Sequence, residues 1–118
     1  MKIKLKRVYD SASKEDGMRV LVERLWPRGI KKSNLVMDAW LKDVAPSTNL
    51  RKWFSHDLAK WEQFQQKYAT ELDKNTKALA PIIHKLTHET ITLLYSSKDC
   101  EHNSAVCLKN YLENKFIK

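Results

Sequence analysis

The segment Thr90-Ile-Thr-Leu-Leu-Tyr-Ser-Ser97 carries no charge and is rich in β-branched and apolar residues, and Ala105, Leu108 and Leu112 follow it at helical spacing. A short apolar run of this kind reads as a strand covered on both faces, which belongs in the centre of a sheet. A strand that passes directly into a helix is half of a right-handed crossover unit, so the economical fold is α/β with a mostly parallel sheet.

Two further strands are expected. Ile3, Leu5, Arg7 and Tyr9 alternate with Lys4, Lys6 and Val8, the period of a strand with one better-buried face. A second strand runs from about Met18 to Trp26 and is stopped by Pro27, which lacks an amide donor, and by Gly29. Asp10 to Gly17 is rich in turn formers and reads as an exposed loop. From Ser33 the period becomes helical: Ser33 or Asn34 can cap, and Val36, Trp40 and Val44 fall four apart. Pro46 ends that helix, and Ser47 caps the next, with Leu50, Trp53 and Phe54 as its apolar stripe. A longer helix carries Leu58, Trp61, Tyr68 and Leu72. Another spans Leu79, Ile82 and Leu86, where Pro81 either starts a new helix or kinks a continuous one. The last helix begins near Glu101 or His102. The expected architecture is one small α/β domain over residues 1–118, with a mostly parallel three- to four-stranded sheet flanked by five or so helices. Three strands are few for this class, so a short additional strand is allowed for.

With 42% hydrophobic and 31% charged residues, two Gly and three Pro, the composition is globular and leaves little room for flexible linkers. The start, Met1 to Arg7, alternates charge with apolar residues and lacks the continuous apolar core of a signal peptide. No apolar run approaches the ~20 residues of a membrane span, so a cytoplasmic protein with no membrane partner is expected. Cys100 and Cys107, read as lying on one helix, stand about 10 Å apart along its axis, too far for a disulfide. The four histidines fit no metal pattern, since His84 and His88 share a helix face without an HExxH context. No cofactor motif is present. A formal net charge of +8 favours anionic partners. The lysines are nevertheless spread along the chain, as on an ordinary solvated surface.

Glu23 and Arg24 interrupt an otherwise apolar strand and need partners or a polar ligand. In open α/β sheets ligands sit outside the carboxyl ends of the strands. That rule gathers Tyr9-Asp10, Trp26-Pro-Arg28-Gly29 and Tyr95 to Asp99, with His102 and Asn103 opening the last helix. Arg24 and Arg28 present rigid forks of donors suited to carboxylate or phosphate. The alternative for Arg24 is an internal brace to Asp10, Asp38 or Asp99. The start of the last helix, with Ser96, Ser97 and Lys98, can hold an anion, or its amides are capped by Asp99. No glycine lies between Tyr95 and Asn103, which excludes a P-loop. Trp40, Trp53 and Trp61 read as core, and Trp26 as the tryptophan that faces a ligand.

Lys6-Arg-Val-Tyr-Asp10, Arg19 through Lys32, Ala45-Pro-Ser-Thr-Asn-Leu-Arg51, Trp53-Phe-Ser-His56, and Thr92 through Asp99 with His102-Asn103 are long motifs in a fixed order. In them the chain resembles the YeaO-like branch of the domain-of-unknown-function 488 proteins over nearly its whole length. The resemblance implies a small α/β domain and brings no established activity. Other branches carry a Cys at the end of the third strand and a Cys-His-Arg set at the following helix. Tyr95 and Glu101-His102-Asn103 stand there instead, which speaks against thiol chemistry. The resemblance also draws in Arg51 and His56, on helices placed to fold over the strand ends, and implies that Glu23 stands where relatives often have Asp.

The expected function is binding of a small anionic, phosphate-bearing or nucleotide-like ligand. Arg7, Tyr9, Arg24, Trp26, Arg28, Arg51, His56, Ser96, Lys98 and Asn103 are the contact candidates. If chemistry follows, hydrolysis or group transfer is the expected class, with Asp10, Asp99 and His102 as proton carriers. A nucleic-acid-binding or accessory interaction protein is the second reading. The sequence leaves oligomeric state and catalysis undecided.

Overall fold

A computed structural model describes residues 2–117 as one α/β unit. Its strands are β1 (Lys2–Arg7), β2 (Met18–Leu21), β3 (Ala39–Trp40) and β4 (Thr90–Tyr95). They form one sheet in the order β1-β4-β2-β3, and every neighbouring pair is parallel. In register, Leu93 stands between Leu5 of β1 and Val20 of β2, and Val20 in turn pairs with Ala39. Because all four strands point the same way, the segments that follow Arg7, Leu21, Trp40 and Tyr95 emerge along a single edge.

The helices are α1 (Thr48–Phe54), α2 (Trp61–Asp73), α3 (Thr76–Leu86) and α4 (Ser104–Phe116). They all contribute to the larger core. Phe64, Tyr68 and Leu72 recur every fourth residue on α2, and with Leu79, Ile82 and Leu86 of α3 and Leu108 and Leu112 of α4 they cover Ile3, Val20, Ile91 and Leu93. The opposite face of the sheet is covered by loops. Val8, Leu21, Leu35 and Leu94 form a smaller cluster there, with Trp26, Ile30, Met37 and Trp40 packed on it. Leu93 and Leu94 therefore face different cores and both are completely buried, which is why β4 lacks strand-like alternation. Pro81 lies inside α3 on its exposed side, and the helix continues through it.

Four local expectations need correction. Leu58 lies in a separate 3-10 turn (Leu58–Lys60) ahead of α2 and is exposed, not on the longer helix. The span from Ser33 to Val44 is a short 3-10 turn (Lys32–Asn34), the extended β3, and a second 3-10 turn (Lys42–Val44), not a helix. Arg19 holds it extended: its backbone N–H donates to the Asp38 carboxylate at 2.8 Å, and its Nε donates to the Val36 carbonyl at 2.7 Å. The second strand ends at Leu21 instead of Trp26. Val22 still donates to the Leu94 carbonyl at 3.3 Å, after which the chain leaves the sheet. The last helix starts at Ser104, capped by Asn103, so Cys100 lies in the preceding turn and is exposed while Cys107 is buried on the helix. Both cysteines are free, and burial pushes the Cys107 thiol up to about 12.

A buried charge cluster fixes the entry to β2. Asp16 is 1% exposed and is bound by Lys6 at 2.9 Å and by Arg19 at 2.5 Å. The Lys6 contact leads the effects that lower its pKa to about 2. Next to it Gly17 has φ +63, and a Cβ there would meet the Thr90 carbonyl oxygen at 2.0 Å. Only glycine allows the chain to pass so close to β4.

Candidate functional site

The carboxyl edge of the sheet opens into a cavity of about 790 Å³. Its floor is made by the segments leaving β2 and β4, Glu23 to Arg28 and Tyr95 to Ser97. One wall is α1 with its C-terminal turn, Thr48 to His56, and another is the start of α4, His102 to Ser104. Ser47 holds α1 over this edge: its Oγ accepts from the Leu50 amide and donates to the Glu71 carboxylate of α2.

Glu23 is the least satisfied group in the cavity. Its Oε2 accepts from the Ser96 hydroxyl at 3.0 Å, whereas Oε1 is buried with no hydrogen-bond partner among the described residues. Desolvation raises its pKa above the ordinary 4.5, against the opposing effects of the Ser96 hydrogen bonds and the Arg51 charge. Glu23 thus lies two residues beyond the end of β2, in the segment leaving the sheet, and is left half-paired.

The cationic residues divide into those already committed and those that are free. Arg24 donates to the carbonyls of Ala45 at 3.2 Å and Pro46 at 3.3 Å, with Asp43 at 4.0 Å. It lines the cavity but serves as a brace, through partners other than Asp10, Asp38 or Asp99. Arg7 donates to the carbonyls of Ser96 and Ser97 at 3.1 and 3.0 Å and lies over the Tyr9 ring, outside the cavity wall. Arg28, Arg51, Lys52 and His56 all line the cavity and are exposed. None of the four takes part in an ion pair among the described residues. His56 and Ser55 have φ of 57 and 44, two consecutive non-glycine residues in the left-handed region. Such backbone costs on the order of 1 kcal/mol or more per residue.

At the third wall, Asp99 accepts from the backbone amides of Glu101 and His102, both at 3.0 Å, and its carboxylate lies 3.1 Å from His102 Nδ1. These contacts lower its pKa, with the Glu101 amide as the largest cause. Asp99 thereby orients the His102 ring, which also stands edge-on to Trp61 at 5.2 Å, and leaves Nε2 as the nitrogen without a described partner. The amides of Glu101 and His102, in the turn before α4, are spent on Asp99, whereas α4 itself is capped by Asn103. Asn103 is spent as well, with Oδ1 accepting from Val106 and Nδ2 donating to the Asp99 carbonyl.

Of the residues singled out from sequence, the cavity brings together Tyr9, Arg24, Trp26, Arg28, Arg51, His56, Ser96, His102 and Asn103. Arg7, Lys98 and Asp99 are not among its lining residues. Asp10 lines a separate cavity of about 290 Å³, and its carboxylate accepts from the Arg7 amide. Trp26 donates to the Ile30 carbonyl and packs edge-on against Trp40 at 5.3 Å, so it is part of the smaller core as well as a wall. Lys52, Ser55 and Thr48 join the lining without having been singled out, because only the turn after α1 brings them round. Among the described residues no cluster of three His, Cys, Asp or Glu side chains could hold a metal, and no helix is long and apolar enough to cross a membrane.

Comparison with known proteins adds a family to this geometry. The sequence model of a family described as the inactive DUF488-N3 subclade matches residues 2–118. The uncharacterized protein YeaO of Escherichia coli strain K12 is 44% identical over 117 residues, covering 97% of this chain and 99% of that one. The uncharacterized protein Rv3073c of Mycobacterium tuberculosis strain H37Rv is 32% identical over 114 residues, covering 97% and 96%. No solved structure matches the chain. With the family model and the YeaO match both extending over nearly all of its length, the chain belongs to the DUF488 family as a YeaO-like member of the DUF488-N3 subclade.

Proposed function

We propose that the protein binds a small anionic ligand in the cavity at the strand carboxyl ends and does not transform it. The observation that carries this reading is the convergence of Arg28, Arg51, Lys52 and His56, none of them ion-paired among the described residues, on one cavity whose volume suits a small molecule. Guanidinium groups without internal partners are suited to clamp phosphate or carboxylate oxygens. Two facts support binding without turnover. The family description is that of an inactive subclade, and Tyr95 stands at the strand end where the resemblance implies a cysteine in other branches. The Asp99–His102 pair favours a second reading, hydrolysis or group transfer, because an oriented imidazole with a free Nε2 is the arrangement a proton carrier needs.

Calorimetric titration with pyrophosphate at about 0.15 M salt tests the first reading. Binding is expected, with Arg28→Ala and Arg51→Ala each weakening it about tenfold or more. Arg28→Lys should fail as well, since a point charge cannot reproduce a bidentate fork. Release of inorganic phosphate from the same probe, abolished by His102→Ala, would replace binding by catalysis. Affinity for duplex DNA that falls steeply with salt, in the absence of any pyrophosphate binding, would place the charge and not the cavity at the centre of function.

A further inference from the structure

A bare anion bound to the arginines leaves most of the cavity unfilled. The cavity floor holds a carboxylate, Glu23, which would repel an anion, and the volume of about 790 Å³ far exceeds that of a phosphate group. The groups that line the cavity ask for different chemistry. The rim side chains Arg28, Arg51 and Lys52 offer donors to an anionic group. Glu23 offers an acceptor that no described residue fills, a place for a donor on the ligand. A cationic donor is disfavoured by the surrounding positive side chains, which leaves neutral N–H and O–H donors, and of these hydroxyls are the ones that come in adjacent pairs on a sugar. A pair of adjacent hydroxyls matches the two oxygens of one carboxylate. In dinucleotide-binding α/β folds, an acidic side chain near the strand ends takes up ribose hydroxyls, a precedent for this chemistry.

We propose that the ligand carries a vicinal diol joined to a phosphate, with the diol on the Glu23 carboxylate and the phosphate on Arg28 and Arg51. This rests on the anion-binding reading and adds the second half of the ligand to it. Oε1 lies beneath the cavity surface, but χ3 of glutamate is a soft torsion, and a small rotation turns the unfilled oxygen outward while Ser96 follows with its hydroxyl. Phe54, Phe64 and Tyr95 add an apolar lining suited to a sugar ring or an attached base.

Two sources share this chemistry, a free sugar phosphate and a nucleoside monophosphate. The test is calorimetry with ribose 5-phosphate, adenosine 5′-monophosphate, its 2′,3′-dideoxy counterpart and pyrophosphate. The diol-bearing nucleotide is expected to bind about tenfold or more tightly than the dideoxy compound, the size of one hydrogen bond to a charged acceptor. Glu23→Gln should bring the two to equal affinity. Tighter binding of ribose 5-phosphate than of the nucleotide identifies the free sugar phosphate as the source, and the reverse order identifies the nucleotide. Equal binding of diol and dideoxy compounds by the unmodified protein, with Arg51→Ala still weakening both, overturns the diol assignment and leaves anion binding standing. Absence of binding by all four probes overturns both. The ligand pair decides the matter in the unmodified protein, whatever Glu23→Gln does to folding.

Discussion

Replacing Glu23 by Gln should make the ligand-free protein more stable at neutral pH. The carboxylate is held in place with one oxygen bonded to Ser96 and the other buried without a partner. Burial has raised its pKa above 4.5, so the folded chain holds this proton more tightly than the unfolded chain does. Stability is therefore lost as pH rises from the unfolded value through the raised folded one, and the whole penalty is present above both. Gln keeps an oxygen for Ser96 and removes the charge. An unsatisfied buried polar group costs ~1–3 kcal/mol, and because the new amide nitrogen also lacks a partner the net gain falls at the lower end, ~1 kcal/mol. For a domain of this size that raises the melting temperature by about 4 °C. The assay is a pair of thermal melts at about pH 4 and about pH 8: the variant and the parent should coincide in acid and separate above it. A variant that melts below the parent at neutral pH would refute the reasoning, because Glu23 would then be stabilised by a partner in the free protein.

Gly17→Ala should destabilise by ~3 kcal/mol or more, since strained backbone at φ +63 adds to a Cβ placed 2.0 Å from the Thr90 carbonyl oxygen; urea denaturation reads this, and an unchanged midpoint would show that the loop can move away. Asp16, with its pKa lowered to about 2, contributes stability that is fully present above the ordinary 3.8 and disappears as pH falls through about 2. Asp16→Asn should therefore be less stable than the parent at neutral pH and no different near pH 2, as followed by denaturant titration. Arg24→Ala should cost ~1–3 kcal/mol of folding stability by stranding the Ala45 and Pro46 carbonyls, while pyrophosphate affinity changes far less than in Arg28→Ala; the opposite pattern would make Arg24 the clamp.

What was legible in the sequence follows from where each residue's partners lie. β4 could be read from its own composition, because burial on both faces leaves an uncharged run, and the helices α2 to α4 from spacings confined to single segments. The stretch from Ser33 to Val44 misleads because its apolar residues face different surroundings. Val44 enters the helix-side core, Trp40 packs with the loop-side cluster, and Val36 is 60% exposed. What extends this stretch is Arg19, which precedes it in the chain and bonds to Asp38 and to a backbone carbonyl. Backbone carbonyls also explain Arg24. Reasoning from charge pairs looks to Asp10, Asp38 or Asp99, but the guanidinium fills its donors on Ala45 and Pro46, which carry no sequence signal. The location of the cavity was legible because parallel strands collect their carboxyl ends on one edge. The division of its residues into spent and free was not, since it depends on hydrogen bonds such as those that use up Asn103 and the amides beside Asp99.

The central claim is that the strand-end cavity, and not the lysine-covered surface, is where an anionic ligand binds. The most direct measurement is an amide chemical-shift titration of isotopically labelled protein with adenosine 5′-monophosphate. The account predicts saturable shifts confined to Glu23–Arg28, Thr48–His56 and Tyr95–Ser104, the three segments that wall the cavity. Shifts that scatter over the lysine-bearing faces of α2, α3 and α4, grow without saturating and vanish on raising the salt would contradict it.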